Sequence, residues 1–384
     1  MSPVSEIYLD NSATTRPRPE VINKIKQVLT TDYGNPSSLH NKGVIGEKYL
    51  NKARKLLASH LNVKPGEIYF TSGGTESNNL ALWGITKNYY NRGRHLITSQ
   101  IEHPSVYNVF KALEEEGFQV TYLKPDKRGI VNPDRLKQAL TEKTILVSIM
   151  QINNELGSRQ PIQELAQTTK NFDDKIFFHV DAVQAFGKMP LHLAEKNIDL
   201  LSISGHKFHG PKGVGGLYVN NNMQIKPLFQ GGGQEKDIRP GTENVPGIAG
   251  LIPALKNLPR LKKNKDDKQL AELKKIFINK ITDLLPQARI NTPRESAPHI
   301  INLSLKGIKG EVLVHALEEE KIYISTGSAC HSRRKEENRI LKAIGLSPKL
   351  REGTIRVSLS HYNDKQQLEY TAEQIKEKVD YLKF

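Results

Sequence analysis

From about Glu67 onward, short apolar runs alternate with helix-length amphipathic stretches at the spacing of successive βαβ units. That pattern predicts a mainly parallel sheet covered by helices on both faces. Strands are expected at Ile68–Phe70, His95–Ser99, Val120–Leu123, Ile145–Met150, Ile176–Val180 and Leu200–Ser204. Between them, Asn78–Ile85, Val106–Glu115, Asp134–Leu140 and Ile162–Thr169 read as helices, and Gly216–Val219 reads as a closing edge strand. Ahead of this block, Val21, Ile22, Ile25, Val28 and Leu29 form a helical stripe opened by Pro19 and stopped at Gly34. After Gly250 the sheet pattern gives way to a basic, leucine-spaced helical region. A second set of elements follows: strand Ile300–Leu305, helix Glu311–Glu319, strands Ile322–Ser325 and Ile355–Leu359, and helix Leu368–Leu382. The expected class is α/β, with a large domain over 15–250 and a smaller α+β domain built from 1–14 and 251–384.

A length of 384 residues supports two domains better than one core, and 37% hydrophobic with 25% charged residues reads as globular. No apolar run reaches the length of a membrane span, and the first residues lack a signal-peptide pattern, so the expected location is the cytoplasm. The formal charge of +15 raises the question of nucleic acid. Much of the excess, however, lies between Lys256 and Lys280, where lysines alternate with Leu258, Leu261, Leu270, Leu273, Ile276 and Phe277 as on a solvated amphipathic helix. No direct nucleic-acid contact is expected.

Cys330 is the chain's single cysteine, which excludes an internal disulfide and a thiolate metal cluster within one chain; no metal is expected. A lone cysteine is usually a small buried hydrophobe. This one leaves the strand Tyr323-Ile-Ser-Thr-Gly-Ser-Ala and enters the cationic loop His331-Ser-Arg-Arg-Lys335, a setting that favours a reactive thiolate.

In open α/β sheets, ligands collect beyond the carboxyl ends of the strands. Lys207 follows the apolar strand Leu200–Ser204 into a glycine-rich turn, where desolvation favours the neutral amine that forms Schiff bases. Beyond Phe70 lies Thr71-Ser-Gly-Gly-Thr-Glu-Ser77, a glycine turn entering a helix and suited to phosphate, although N-capping by Ser72 or Thr75 explains it equally well in isolation. Other strands deliver Glu102-His103, Asn153-Asn-Glu155, Asp181-Ala-Val-Gln184 and His206-Lys207 to the same edge. A lysine amine, a strand-end carboxylate in need of a cation, an imidazole and a phosphate-binding helix terminus together meet the requirements of pyridoxal 5′-phosphate (PLP).

The ordered motifs Tyr8-Leu-Asp-Asn-Ser-Ala-Thr-Thr15, Tyr33-Gly-Asn-Pro-Ser-Ser-Leu-His40, Gly73-Gly-Thr-Glu-Ser77, Glu102-His103, Gly205-His-Lys-Phe-His-Gly-Pro-Lys-Gly213, Arg239-Pro-Gly-Thr-Glu-Asn244 and Ser328-Ala-Cys330 span nearly the whole chain. It resembles the NifS/IscS-like cysteine desulfurases, relatives of the class V aminotransferases. The resemblance implies a fold-type I PLP enzyme that works as a homodimer with sites at the subunit interface. It implies that Lys207 holds the cofactor, Asp181 keeps its ring nitrogen protonated, Gln184 and Asn154 flank its phenolic oxygen, and His103 stacks on the ring. Gly74, Thr75, Ser204 and His206 would bind the phosphate, and Thr242 would reach the phosphate bound by the partner subunit. Arg356, with Asn154, would hold the carboxylate of L-cysteine; without the resemblance it reads as an edge-strand arginine facing water. The implied reaction moves sulfur from L-cysteine to Cys330, leaving alanine, with Lys207 or His103 moving the Cα proton. The persulfide would then pass to an acceptor protein, an iron–sulfur scaffold or a tRNA or cofactor thiolation enzyme. A selenocysteine lyase or another class V enzyme is the alternative.

This chain departs from the family pattern in the charged segment His331–Arg339, and in Ser12 and Pro104, which are expected to stay clear of the chemistry.

Overall fold

The computed structural model describes residues 6–189, 193, 197–258, 265–327 and 338–382. Among them, strands β2 (Ile68–Thr71), β3 (His95–Ser99), β4 (Gln119–Leu123), β5 (Thr144–Met150), β6 (Phe177–Asp181), β7 (Leu200–Ser204) and β8 (Gly215–Val219) form one sheet in the order β2-β8-β7-β6-β5-β3-β4. Neighbours from β4 through β7 pair in parallel, and β8 runs antiparallel to both of its partners. The sheet is therefore mainly parallel, but the expected edge position of Gly216–Val219 is wrong. β8 lies inside the sheet and β2 takes the edge. Period and composition reveal a strand's existence, whereas its place in the order depends on long-range pairing.

Helices α3 (Gly74–Tyr89), α4 (Pro104–Glu115), α5 (Pro133–Ala139) and α6 (Ile162–Phe172) fill the intervals between strands, and α1 spans Pro19–Thr30. The 21-residue helix α2 (Asn41–Leu61) has no counterpart in the sequence reading. Its buried side includes Gly43, Gly46, Ala53 and Ala58 beside Leu50, Leu57 and Leu61, so small residues blur the apolar period. Close approach requires those glycines. A Cβ on Gly43 would lie 2.0 Å from the Ser38 carbonyl oxygen, and one on Gly46 would lie 2.8 Å from that of Gly34.

Helix α7 (Val245–Lys256) runs through residue 250 and packs on α1 and α2, and the core that it joins continues to Leu258. A separate core gathers around β9 (Arg289–Ile290), β10 (Ile300–Ser304), β12 (Ser325–Thr326) and β13 (Thr354–Ser358), sheeted in the order β12-β13-β10-β9. Helices α8 (Lys265–Leu284), α9 (Gly310–Glu318) and α12 (Lys365–Leu382) contribute to it. The N-terminal strand β1 (Ile7–Tyr8) pairs with β11 (Ile322–Tyr323), and both belong to this second core. Two short helices, α10 (Arg339–Ala343) and α11 (Pro348–Glu352), precede β13.

Along α8, Leu270, Leu273, Phe277 and Ile281 are buried while Lys268 and Lys275 are exposed, as a solvated amphipathic helix requires. Lys274 differs. Its buried ammonium donates to Ser296 Oγ at 2.6 Å and to the Ala297 carbonyl at 2.9 Å. No helix among the described residues is long and apolar enough to cross a membrane.

Candidate active site

At the carboxyl edge of the large sheet lies a cavity of about 270 Å³. Gly74, Thr75, His103, Asn154, Asp181, Gln184, Ser204, His206, Lys207 and Arg356 all line it. These residues are scattered over more than 280 positions of sequence: all but Arg356 come together because five parallel strands end on one side, and Arg356 is brought to them on β13 of the smaller sheet. Thr242 is exposed on the segment before α7 and takes no part in this wall. Cys330, like residues 331–337, lies outside the described residues.

The phosphate-suited turn resolves one open alternative. Gly73 is the N-cap of α3 and no side chain caps the helix, so neither Ser72 nor Thr75 accounts for the motif by capping. The uncapped first turn, with Gly74 and Thr75 in the cavity wall, retains donors and the positive end of a helix for an anion. The wall is tight there: a Cβ on Gly74 would meet Val183 Cγ2 at 2.6 Å.

Asp181 ends β6 in a buried position, and burial pushes its carboxyl pKa upward. Val183 N donates to Oδ1 at 3.0 Å and Asn78 Nδ2 donates to Oδ2 at 2.9 Å, both favouring the carboxylate. The same Asn78 amide donates to Ser105 Oγ at 2.9 Å, and Ser105 Oγ lies 2.8 Å from His103 Nδ1. Ser105 N also donates to His103 Nδ1 at 3.1 Å, so this nitrogen is an acceptor and the neutral ring carries its proton on Nε2. A polar chain thus runs from carboxylate to imidazole.

Lys207 Nζ donates to the carbonyls of Ser12 at 2.5 Å and Ala13 at 2.9 Å. Gln184 Nε2 donates to the same Ser12 carbonyl at 2.9 Å. Ser12 therefore belongs to the cavity wall. His206 Nδ1 lies 3.1 Å from Thr14 Oγ1, and burial, aided by Lys207, lowers its pKa to about 4, leaving a neutral ring at neutral pH.

Arg356 occupies the middle of β13, between β12 and β10, and is 4% exposed, so the picture of an edge-strand arginine facing water is overturned. One terminal nitrogen donates to Asp10 Oδ1 at 2.7 Å and the other to the Asn154 carbonyl at 3.0 Å. These contacts fix the plane of the guanidinium.

Among the described residues, buried Ser12 Oγ, Asn154 Oδ1, Gln184 Oε1 and Arg356 Nε have no hydrogen-bond partner. Each belongs to a residue lining the cavity. Buried polar groups are seldom left unpaired, so the wall is built for a polar occupant. An uncapped helix end, a lysine amine, a buried carboxylate and these orphaned atoms suit the phosphate, aldehyde, ring nitrogen and phenolic oxygen of PLP.

Sequence reading assigned no site role to Asn78, Ser105, Ser12, Ala13 or Glu155, although Glu155 falls in the run that it placed at this edge. Asn78 had a readable signal, standing one turn along the helix that Gly74 opens. Glu155 lines the cavity, and burial raises its pKa to about 7. Asn338 Nδ2 donates to Glu155 Oε2 at 3.1 Å and to the Gly327 carbonyl at 2.7 Å. The two ends of the stretch that contains Cys330 thus meet beside the cavity.

Residues 7–371 match the model of the class-V aminotransferases. The chain is 43% identical to a cysteine desulfurase IscS of Dictyoglomus turgidum, over 98% of this chain and 95% of that protein. It is 39% identical to a mitochondrial cysteine desulfurase of Candida maltosa, over 98% of this chain and 78% of the other. A solved NifS-like protein superposes with a TM-score of 0.92 at 37% identity, covering 98% of this chain and all of that one. Another, described as SspA in complex with cysteine, gives 0.82 at 35% identity, covering 93% of this chain and all of the other. PLP is the cofactor of this family in general. With a family match across nearly its whole length and relatives of this similarity, the chain belongs to the class-V aminotransferases, among the cysteine desulfurases of the IscS and NifS kind.

Proposed function

We propose that this enzyme takes sulfur from L-cysteine, releases L-alanine, and carries the sulfur as a persulfide on Cys330 to an acceptor protein. The observation that most supports this reading is the cavity wall, where Lys207, Asp181 and Arg356 surround unpaired buried polar atoms. When bound, PLP supplies an electron sink that loosens bonds around the substrate's Cα and Cβ. Lys207 would anchor it, with Gly74, Thr75, Ser204 and His206 around its phosphate, Asp181 at its ring nitrogen, and Asn154 and Gln184 at its phenolic oxygen.

Arg356, held by Asp10 and Asn154, would present its remaining N–H donors, the unpaired Nε among them, to the carboxylate of L-cysteine. Lys207 or His103 would move the Cα proton, and the Nδ1 contacts of His103 fix the orientation of its ring. In sulfur transfer, the thiolate of Cys330 bonds to the substrate sulfur as the Cβ–S bond breaks. The carbon fragment takes the electron pair and a proton and leaves as alanine, so no external oxidant is required.

The larger unit would hold the cofactor and the smaller would carry Cys330. Thr242, exposed here, would serve the partner's site in a homodimer. The acceptor would be an iron–sulfur scaffold or a thiolation enzyme, and the setting the cytoplasm. PLP-loaded protein given L-cysteine should release alanine and lose that activity in Cys330→Ser with its cofactor absorbance intact. Undiminished alanine release by the variant contradicts the role of Cys330.

A further inference from the structure

Lys207 also lines a second, smaller cavity of about 50 Å³ that the reaction does not use. Its polar lining includes Arg18, Lys188, Lys207, His209, His299 and His361, and no carboxylate lines it among the described residues. Among the described residues, the ammonium of Lys188, both ring nitrogens of His299 and Nε of Arg18 are buried with no hydrogen-bond partner. His299 is 0% exposed. Four unpaired nitrogens around one void differ in kind from an ordinary packing defect. A buried cation without a counter-charge is costly, and here several cationic or protonatable groups crowd together. The crowding is felt: burial, then Lys207 and Arg356, pushes the pKa of Lys188 to about 7. Burial and the charge of Lys188 also depress His299.

We propose that this cavity is a halide site that holds one chloride ion between Lys188, His299 and Arg18. The size argues for a monatomic ion, because one water needs about 10–15 Å³ of such space and the void offers only a few times that. The composition argues for an anion of low charge density. The rest of the wall is mostly apolar, with Phe208, Leu258, Leu270 and Leu359 beside the hydroxyl-bearing Thr15 and Ser360. Water could satisfy the donors but would not offset the charge of Arg18 and of protonated Lys188.

The site joins the two cores. Phe208 and Leu258 belong to the larger core and Leu270 and Leu359 to the smaller, so a bound ion stabilises their contact. Lys207 lines both this cavity and the reaction cavity.

The test is thermal unfolding of the PLP-loaded protein in sodium chloride and in sodium gluconate at matched ionic strength. Chloride should raise the midpoint saturably by about 1–3 °C, bromide should replace it, and Lys188→Met should abolish the difference. Equal midpoints in the two salts, or an undiminished difference in Lys188→Met, overturn the site. Should that variant fail to fold, bromide-soaked crystals of the unaltered protein decide. An anomalous peak touching Lys188 Nζ and His299 is expected, and water alone in the cavity refutes the proposal.

Discussion

Replacing Arg356 with lysine keeps the positive charge and removes the fork. In the structure the guanidinium spends one terminal nitrogen on Asp10 and the other on the Asn154 carbonyl, leaving Nε unpaired in the wall of the reaction cavity. A lysine can satisfy Asp10, but it cannot hold Asn154 and present a further oriented donor at the same time. The substrate carboxylate then loses a charge-assisted hydrogen bond, worth about 1.5–3 kcal/mol. At about 1.4 kcal/mol per factor of ten, kcat/KM for L-cysteine should fall about 10- to 150-fold. The decisive assay compares L-cysteine with cysteamine, which lacks the carboxylate, by titrating each against cofactor absorbance. Affinity for L-cysteine should drop while affinity for cysteamine stays within about twofold, since only the former meets the missing donor. An equal loss for both ligands would place the damage in the architecture of the site and refute the role of Arg356 in carboxylate recognition.

Three further perturbations separate fold from chemistry. Glu102 is fully buried, and burial raises its pKa to about 8, so folding favours its protonated form. Its stabilising contribution is present below the ordinary carboxyl pKa and is lost as pH rises toward about 8. Glu102→Gln, which mimics the protonated acid, should match the wild type in urea denaturation near pH 4.5 and exceed it increasingly up to pH 8; a gap independent of pH contradicts this. Glu235 accepts from Arg54 at 2.6 and 2.8 Å and from Phe70 N at 2.9 Å, with its side chain 1% exposed. Glu235→Ala removes that arginine's carboxylate partner, leaving it only the Ile68 carbonyl and the Phe70 ring, and should cost about 3 kcal/mol in urea denaturation, whereas a loss under about 1 kcal/mol would show that the pair is dispensable. Gly74→Ala forces a methyl against Val183 and should weaken PLP retention in equilibrium dialysis while leaving the far-UV spectrum unchanged; unaltered retention argues against phosphate binding at that turn.

Legibility in the sequence followed the range of the interactions involved. The parallel strands were readable because each is an apolar run with turn signals on both sides, and the cavity residues were readable because they fall just beyond those runs. Strand order was not, as the internal β8 demonstrates, since the order arises from pairing between distant segments. Helix α2 escaped detection because glycine and alanine form much of its buried face. Ser12 and Ala13 were missed as partners of Lys207 because backbone carbonyls about 195 positions away leave no mark on a local pattern. Arg356 was legible as a residue of interest, yet its burial between two strands came only from the fold.

The central claim is that one thiol receives the atom that the lysine-bearing cavity releases. Mass spectrometry of the PLP-loaded protein after a brief exposure to L-cysteine, followed by peptide mapping, tests this most directly. One added sulfur on the peptide containing Cys330, removed by reductant and absent from Lys207→Ala, is the predicted result. Alanine production with no sulfur on that peptide would contradict the account.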